Sequence, residues 1–239
     1  EDVAGVVWTQ ALADAKLQLI KETFPSPAPS WLKVDQNPAN FTFILGMPRS
    51  GTTLTEQILG AHSQVANSGE SRAFDVGLSK ATMTLGQLAE PGADFHLRNM
   101  KHLTGDTFNQ LVADYIDYQA LIANAPVVTD KALGNIDWLG FLANCFPNAN
   151  FVFVERHPLD NCVSLLQRDF KNAPYSNDPL HCVLEHRAYA ARIAHWESLF
   201  PGRIKRLSYE AVVSSPQAEM RQLVESLSMA WESQIPEFY

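Results

Sequence analysis

Residues 46 to 54 read "GMPRSGTTL" and stand directly behind the apolar run "FTFIL" at 41 to 45. The spacing from Gly46 to Gly51 is that of a nucleotide-triphosphate loop, G-x-x-x-x-G-K-[ST], whose glycines permit the backbone turns that aim successive N–H groups at an anion. The positive end of the following helix adds to that cradle. Thr52 stands where the motif has its lysine, so the charge has to come from Arg49, whose planar fork suits oxyanions. Ser50, Gly51, Thr52 and Thr53 complete the candidate anion-binding stretch. A second arginine, Arg156, closes an apolar run in "FVFVERHPLDNCVS" at 151 to 164, and Ser164 follows it by eight residues inside a helix-like stretch. A guanidinium at a strand end and a hydroxyl in the first turn of the next helix can converge on one dianion.

Such groups need strands and helices to hold them. Residues 3 to 24 have helical spacing, with Val7, Leu12, Leu19 and Ile20 among polar residues, until the three prolines of "FPSPAPS" end the helix. "FTFIL" reads as a strand and "TTLTEQIL" at 52 to 59 as a helix. From about 73 to 124 the chain is polar and helix-like, with Phe108, Leu111, Tyr115 and Tyr118 at helical spacing, which predicts a helical insertion. "VVTD" at 127 to 130 and "FVFVE" at 151 to 155 are further strands around a helix-like stretch from Trp138 to Phe146. A last strand, "RIKRLS" at 203 to 208, follows a helix-like segment at 181 to 199, where Tyr189, Ile193 and Trp196 read as core packing. Alternating strands and helices predict an α/β fold: a P-loop-like three-layer α/β/α arrangement on a central parallel sheet. Residues 1–40 read as an N-terminal helix and Pro-rich linker, and 41–239 as the main domain.

At this point the chain resembles a known family. "PRSGTT" is similar to the loop with which sulfotransferases bind the 5′-phosphosulfate of 3′-phosphoadenosine 5′-phosphosulfate (PAPS), and "ERHPLDNCVS" resembles the segment that grips the 3′-phosphate through an arginine and a serine. The resemblance implies PAPS as co-substrate, PAP as product, Arg49 and residues 50 to 53 on the 5′-phosphosulfate, and Arg156 with Ser164 on the 3′-phosphate. "LSYEAVVSSP" at 207 to 216 resembles the family's late "YE-x-L" segment and implies Tyr209 beside the adenine. The clearest shared text, "FPNANFVFVERHPLDNCVS" and "DKALGN", resembles the bacterial branch related to protein-tyrosine sulfotransferases. There the catalytic base is a glutamate in a "GE" stretch 21 residues beyond the loop arginine, and Glu70 of "NSGESRAF" lies 21 residues after Arg49. Lys131 of "VVTDKALGN" resembles the family lysine beside the bridging oxygen. Cytosolic small-molecule relatives carry a "KTH" run with a histidine base at that point, whereas Ala132 and Leu133 follow Lys131 here, which favours Glu70 as the base.

The resemblance spans roughly residues 40 to 239. It also implies a basic, nucleotide-covering segment beyond "WESQIPEFY" and, in some bacterial relatives, helical repeats ahead of the domain, with residues 1 to 24 as the tail of such a region. Two alternatives stay open: a P-loop kinase or nucleotide hydrolase, disfavoured by the absent loop lysine, and a non-catalytic nucleotide-binding domain, disfavoured by the presence of both Glu70 and Lys131. A net charge of −8 argues against a nucleic-acid binder. The apolar runs are all shorter than a transmembrane segment requires, and "EDVAGVVWTQ" lacks the pattern of a secretion signal. Three widely spaced cysteines and seven histidines without ligand spacing predict neither a metal site nor a disulfide framework, and a reducing, cytoplasmic setting. The acceptor (a hydroxyl-bearing small molecule, carbohydrate, lipid or peptide, or an amine) and a homodimeric state are left open.

Overall fold

The two central strands read as unbroken apolar runs because a parallel sheet is covered by helices on both faces. The computed structural model describes residues 8–232 and 235, apart from 93, 169, 171 and 172. In it β1 (Phe41–Leu45), β2 (Val65–Asn67), β3 (Val127–Asp130), β4 (Asn150–Glu155) and β5 (Ile204–Ser208) form one parallel sheet in the order β2-β3-β1-β4-β5. The helices are α1 (Gln10–Thr23), α2 (Thr52–Leu59), α3 (Ala73–Met83), α4 (Phe95–Asn99), α5 (Gly105–Ile122), α6 (Leu139–Cys145), α7 (Pro158–Leu166), α8 (Pro179–Leu199), α9 (Tyr209–Ser214) and α10 (Pro216–Ser226). The period-two alternation of the strands divides the core. Phe41, Phe43, Leu45, Phe151 and Phe153 pack in one cluster with residues of α1, α5, α6 and α8, while Ile44, Val152 and Val154 pack in another with α2 and α10. The expected three-layer α/β/α fold is therefore the fold observed.

The strands at 41–45 and 127–130 have the predicted bounds, but β2 was not anticipated. It has only three residues, too few for alternation to declare itself, and exists because Val65–Asn67 pairs with Val127–Thr129. Within the described residues the first helix begins at Gln10, where the Thr9 hydroxyl accepts the Leu12 N–H as a cap, and Trp8 and Thr9 of the expected helix lie outside it. Positions 3 to 7 of that prediction lie outside the described residues. Ile20 and Phe24 at its far end are fully buried, with Phe24 edge-on to Trp196 of α8 at 5.3 Å.

The helical segment 73–124 returns onto the sheet through α5, where the Tyr115 hydroxyl donates to Asp130 Oδ2 at 2.8 Å. Asp130 also accepts the Ala132 N–H at 2.8 Å and Asn135 Nδ2 at 3.1 Å, which aims the chain leaving β3. Burial nonetheless pushes the Asp130 carboxyl up to about 6. Its folded value exceeds its unfolded one, so across the window from about pH 4 to 6 the native state binds more protons and stability falls as pH rises. Urea unfolding of Asp130→Asn should show this contribution removed: from pH 4 to 7 the wild type is expected to lose up to about 3 kcal/mol more than the variant. Parallel pH profiles would exclude Asp130 as the titrating group.

Parallel pairing places every strand's carboxyl end along one edge of the sheet, where such folds bind ligands. Arg49 follows β1, Glu70 follows β2, Lys131 follows β3, Arg156 follows β4 and Tyr209 follows β5.

Candidate active site

The loop after β1 is strained into its shape. Arg49 has φ 70° and Gly51 φ 108°, both in the left-handed region. A Cβ on Gly51 would lie 2.5 Å from Cδ2 of Tyr209, so glycine there allows both the turn and the close approach of the tyrosine. The helix α2 starts at Thr52 and leaves the N–H groups of its first turn without intrahelical acceptors, at the point where an anion would sit.

Three partners hold this loop. Arg49 Nε donates to Ser164 Oγ at 3.0 Å, Arg156 Nη1 donates to the Arg49 carbonyl at 3.0 Å, and Asn161 Nδ2 donates to the Pro48 carbonyl at 3.0 Å. The Arg156 guanidinium lies over the Tyr209 ring, 4.4 Å from its centroid. Ser164 is in the second turn of α7, because that helix begins at Pro158; the hydroxyl expected in the first turn reaches the site from one turn farther on. Ser50 Oγ, Arg156 Nε and Asn161 Oδ1 are buried without a partner, and their residues line a cavity of about 200 Å³ under the loop. The donors Ser50 Oγ and Arg156 Nε suit the oxygens of a ligand, and the accepting Asn161 Oδ1 suits an ordered water.

A second pair stands on the other side of the loop. Lys131 Nζ donates to Glu70 Oε1 at 2.9 Å, with the lysine side chain 10% exposed and the glutamate 64%. Their loops are laced together: the Lys131 N–H donates to the Gly69 carbonyl at 2.9 Å, and Ser68 donates to the Thr129 carbonyl through its N–H at 3.1 Å and its hydroxyl at 2.6 Å.

Two carboxylates in this framework escaped the sequence analysis. Glu56, on α2, is 4% exposed, and its Oε1 accepts both the Gly69 N–H and the Thr129 hydroxyl at 3.0 Å. Burial raises its carboxyl above the usual range, against the hydrogen bond from Thr129 and the charge of Lys131. Glu56 thus fixes Gly69, which precedes Glu70, and Thr129, two residues before Lys131. Glu210 accepts the His157 N–H at 2.7 Å and the Ser208 hydroxyl at 3.1 Å, tying the start of α9 to the start of α7. Partial burial would raise its carboxyl, but these hydrogen bonds hold it below the ordinary value. The only signal for Glu210 was its place in the "YE" pair.

These loops border a cleft of about 780 Å³. Seven of the ten candidate residues, Arg49, Gly51, Thr52, Thr53, Glu70, Arg156 and Tyr209, line it. Lys131 and Ser164 are hydrogen-bonded to lining residues, and Ser50 faces the smaller cavity. The far wall comes from α1 and α8, with Tyr189 on the cleft while Ile193 and Trp196 are fully buried. There Arg192 donates to Asp137 Oδ1 at 3.1 Å and to Glu185, and Lys16 bridges Asp137 at 3.1 Å and Asp94 at 2.9 Å. Burial alone would raise the Asp137 carboxyl, but Lys16 and Arg192 beside it hold it below the carboxylate range.

One end of the cleft is therefore built for phosphate-like oxyanions, its middle carries a carboxylate paired with an ammonium, and its far wall is hydrogen-bonding and aromatic. Among the described residues no three His, Cys, Asp or Glu side chains are grouped to hold a metal, and no helix is long and apolar enough to cross a membrane.

Known proteins resemble this chain in sequence and fold. A protein of Aquifex aeolicus (strain VF5), described as uncharacterized, is 34% identical over 209 residues, or 82% of this chain and 26% of that protein. Protein-tyrosine sulfotransferase A of Caenorhabditis elegans is 25% identical over 200 residues, 82% of this chain and 51% of the relative. The chain thus spans about a quarter of the first relative and about half of the second. Among solved structures, the sulfotransferase domain of the Synechococcus PCC 7002 olefin synthase superposes with a TM-score of 0.61 at 19% identity, over 87% of this chain and 80% of that one, a likeness of fold. The profile described as "Sulfotransferase family" matches residues 42–233, nearly the whole of the sheet and its connections, and the chain belongs to that family.

Proposed function

We propose that this protein moves a sulfuryl group from PAPS to a hydroxyl or amine acceptor, with residues 41–239 as the catalytic unit. The observation that carries the reading is the arrangement of two sets of side chains on one cleft: Arg49 with Ser164 and Arg156, and Lys131 with Glu70. In this assignment Arg49, Ser50, Gly51, Thr52 and Thr53 hold the 5′-phosphosulfate. Arg156 and Ser164 hold the 3′-phosphate, and Tyr209, stacked on Arg156, lies by the adenine. The unpartnered Arg156 Nε and Ser50 Oγ fit a ligand rich in oxyanions.

PAPS supplies an activated S–O bond. Glu70 accepts the proton of the acceptor hydroxyl as that oxygen forms its bond to sulfur. Lys131 and Arg49 neutralise the charge that grows on the bridging phosphate oxygen as the old S–O bond breaks in line. Three buried free cysteines fit a reducing, cytoplasmic setting.

Thermal stabilisation by adenosine 3′,5′-bisphosphate, set against ADP and ATP at equal concentration without magnesium, tests the donor assignment. A ligand at 100 times its dissociation constant adds about 2.7 kcal/mol, a readily measured shift. Stabilisation by the bisphosphate alone is expected. Stabilisation by ATP instead would favour a kinase, and no response to any of the three would remove the donor site.

A further inference from the structure

The far wall of the cleft is charged yet, among the described residues, holds no uncommitted cation. Arg192 is 5% exposed by side chain and divides its guanidinium between Asp137 and Glu185; Lys16 divides its ammonium between Asp94 and Asp137. Of these, Lys16 and Arg192 line the cleft with Asp137 and Glu185, two cations against two carboxylates, and Lys131 is paired with Glu70. An acceptor bearing carboxylates, sulfates or phosphates near its reacting hydroxyl would find the cations of this wall, among the described residues, already paired.

Neutral hydroxyl groups meet something different. Arg192 commits three of its five N–H donors, to the Ala188 carbonyl, Asp137 and Glu185, and each carboxylate oxygen of Asp137 and Glu185 accepts one hydrogen bond, from Arg192, Lys16 or Trp8, which leaves two donors and one lone pair per oxygen for a ligand. Donors and acceptors therefore alternate along the wall, as vicinal hydroxyls require, since each hydroxyl both gives and takes a hydrogen bond. Tyr175 and Tyr189 line the same stretch and add apolar ring surface suited to the C–H face of a pyranose. The Tyr189 ring is itself fixed by Arg192, whose Cζ is 4.2 Å from its centroid. Burying the charges of Arg192, Asp137 and Glu185 in a wall is a poor way to gain stability compared with apolar packing, which points to a use in recognition.

We propose that the acceptor is an uncharged, hydroxyl-rich molecule, a neutral glycoside, seated against Arg192, Asp137, Glu185 and the two tyrosines. This rests on the sulfuryl-transfer reading above. One glycoside hydroxyl loses its proton to Glu70 and forms the new S–O bond; the old S–O bond breaks, and its electron pair leaves with the bisphosphate. Specificity then lies in α8, apart from the donor loop.

The test offers PAPS with labelled sulfate to the purified protein together with neutral methyl pyranosides and disaccharides, a tyrosine peptide rich in Asp and Glu, and the same peptide with those residues changed to Ser. Bisphosphate stabilisation is measured on every sample. The best neutral glycoside is expected to exceed the acidic peptide by about tenfold or more in kcat/KM. Tyr189→Leu should raise the glycoside KM by about tenfold with bisphosphate binding unchanged, and Tyr189→Phe, which keeps the ring, should restore most of the loss. Preference for the acidic peptide, or transfer to none of the glycosides while the bisphosphate still stabilises the protein, would overturn the glycoside assignment and leave the donor reading standing. Loss of bisphosphate stabilisation in the wild type would instead overturn the reading beneath it.

Discussion

Glu70→Gln is expected to turn over about 10²-fold or more slowly than the wild type while binding adenosine 3′,5′-bisphosphate with unchanged affinity. The amide keeps the size of the side chain and can still accept from Lys131 Nζ, which stands 2.9 Å from Oε1. What it loses is the ability to take a proton from the acceptor. The loop around it is held by Glu56 through the Gly69 N–H and by Ser68 on the Thr129 carbonyl, none of which involves the Glu70 carboxyl, so the fold and the donor cradle are left alone. Single-turnover transfer, measured beside equilibrium binding of the bisphosphate, separates the two effects. Equal turnover in the variant would take Glu70 out of the mechanism.

Lys131→Met should cost more, about 10² to 10³ in turnover, the range found when a group that stabilises transition-state charge is removed. The lysine side chain is only 10% exposed and its backbone N–H is anchored on Gly69, so its ammonium is preorganised rather than recruited from solvent. A methionine fills similar space without charge and leaves the growing negative charge on the bridging oxygen to Arg49 alone. The two residues form one pair, so their losses will not multiply: Glu70→Gln combined with Lys131→Met should fall close to Lys131→Met by itself. Fully multiplicative losses would mean that lysine and glutamate act independently.

The readable parts of this protein were those marked locally. Apolar runs bracketed by glycine, proline or a charged residue revealed β1, β3 and β4, and the Gly46–Gly51 spacing revealed the loop. The unreadable parts depend on residues that meet only in space. β2 is defined by its pairing with β3 and not by any pattern of its own three residues. Glu56 sits on a helix whose polar positions look solvated, yet the Gly69 and Thr129 donors bury it. The network of Lys16, Asp137, Glu185 and Arg192 joins three distant stretches of chain. On α8 it buries charged positions that a helical pattern would turn outward, so this wall of the cleft was invisible in sequence while the glycine-bounded loop was plain.

The placement of Glu70 after a three-residue edge strand bears on how this protein would fail with heat. β2 is paired along one side only, and short edge strands are among the first elements to fray. Detachment of that strand would carry Glu70 out of reach of Lys131 while β1, β3 and β4, buried at the centre, kept the sheet and the loop after β1 together. Inactivation on warming would then run ahead of the loss of helix and sheet signals, and rescue by a ligand would require one that clasps both ends of the cleft.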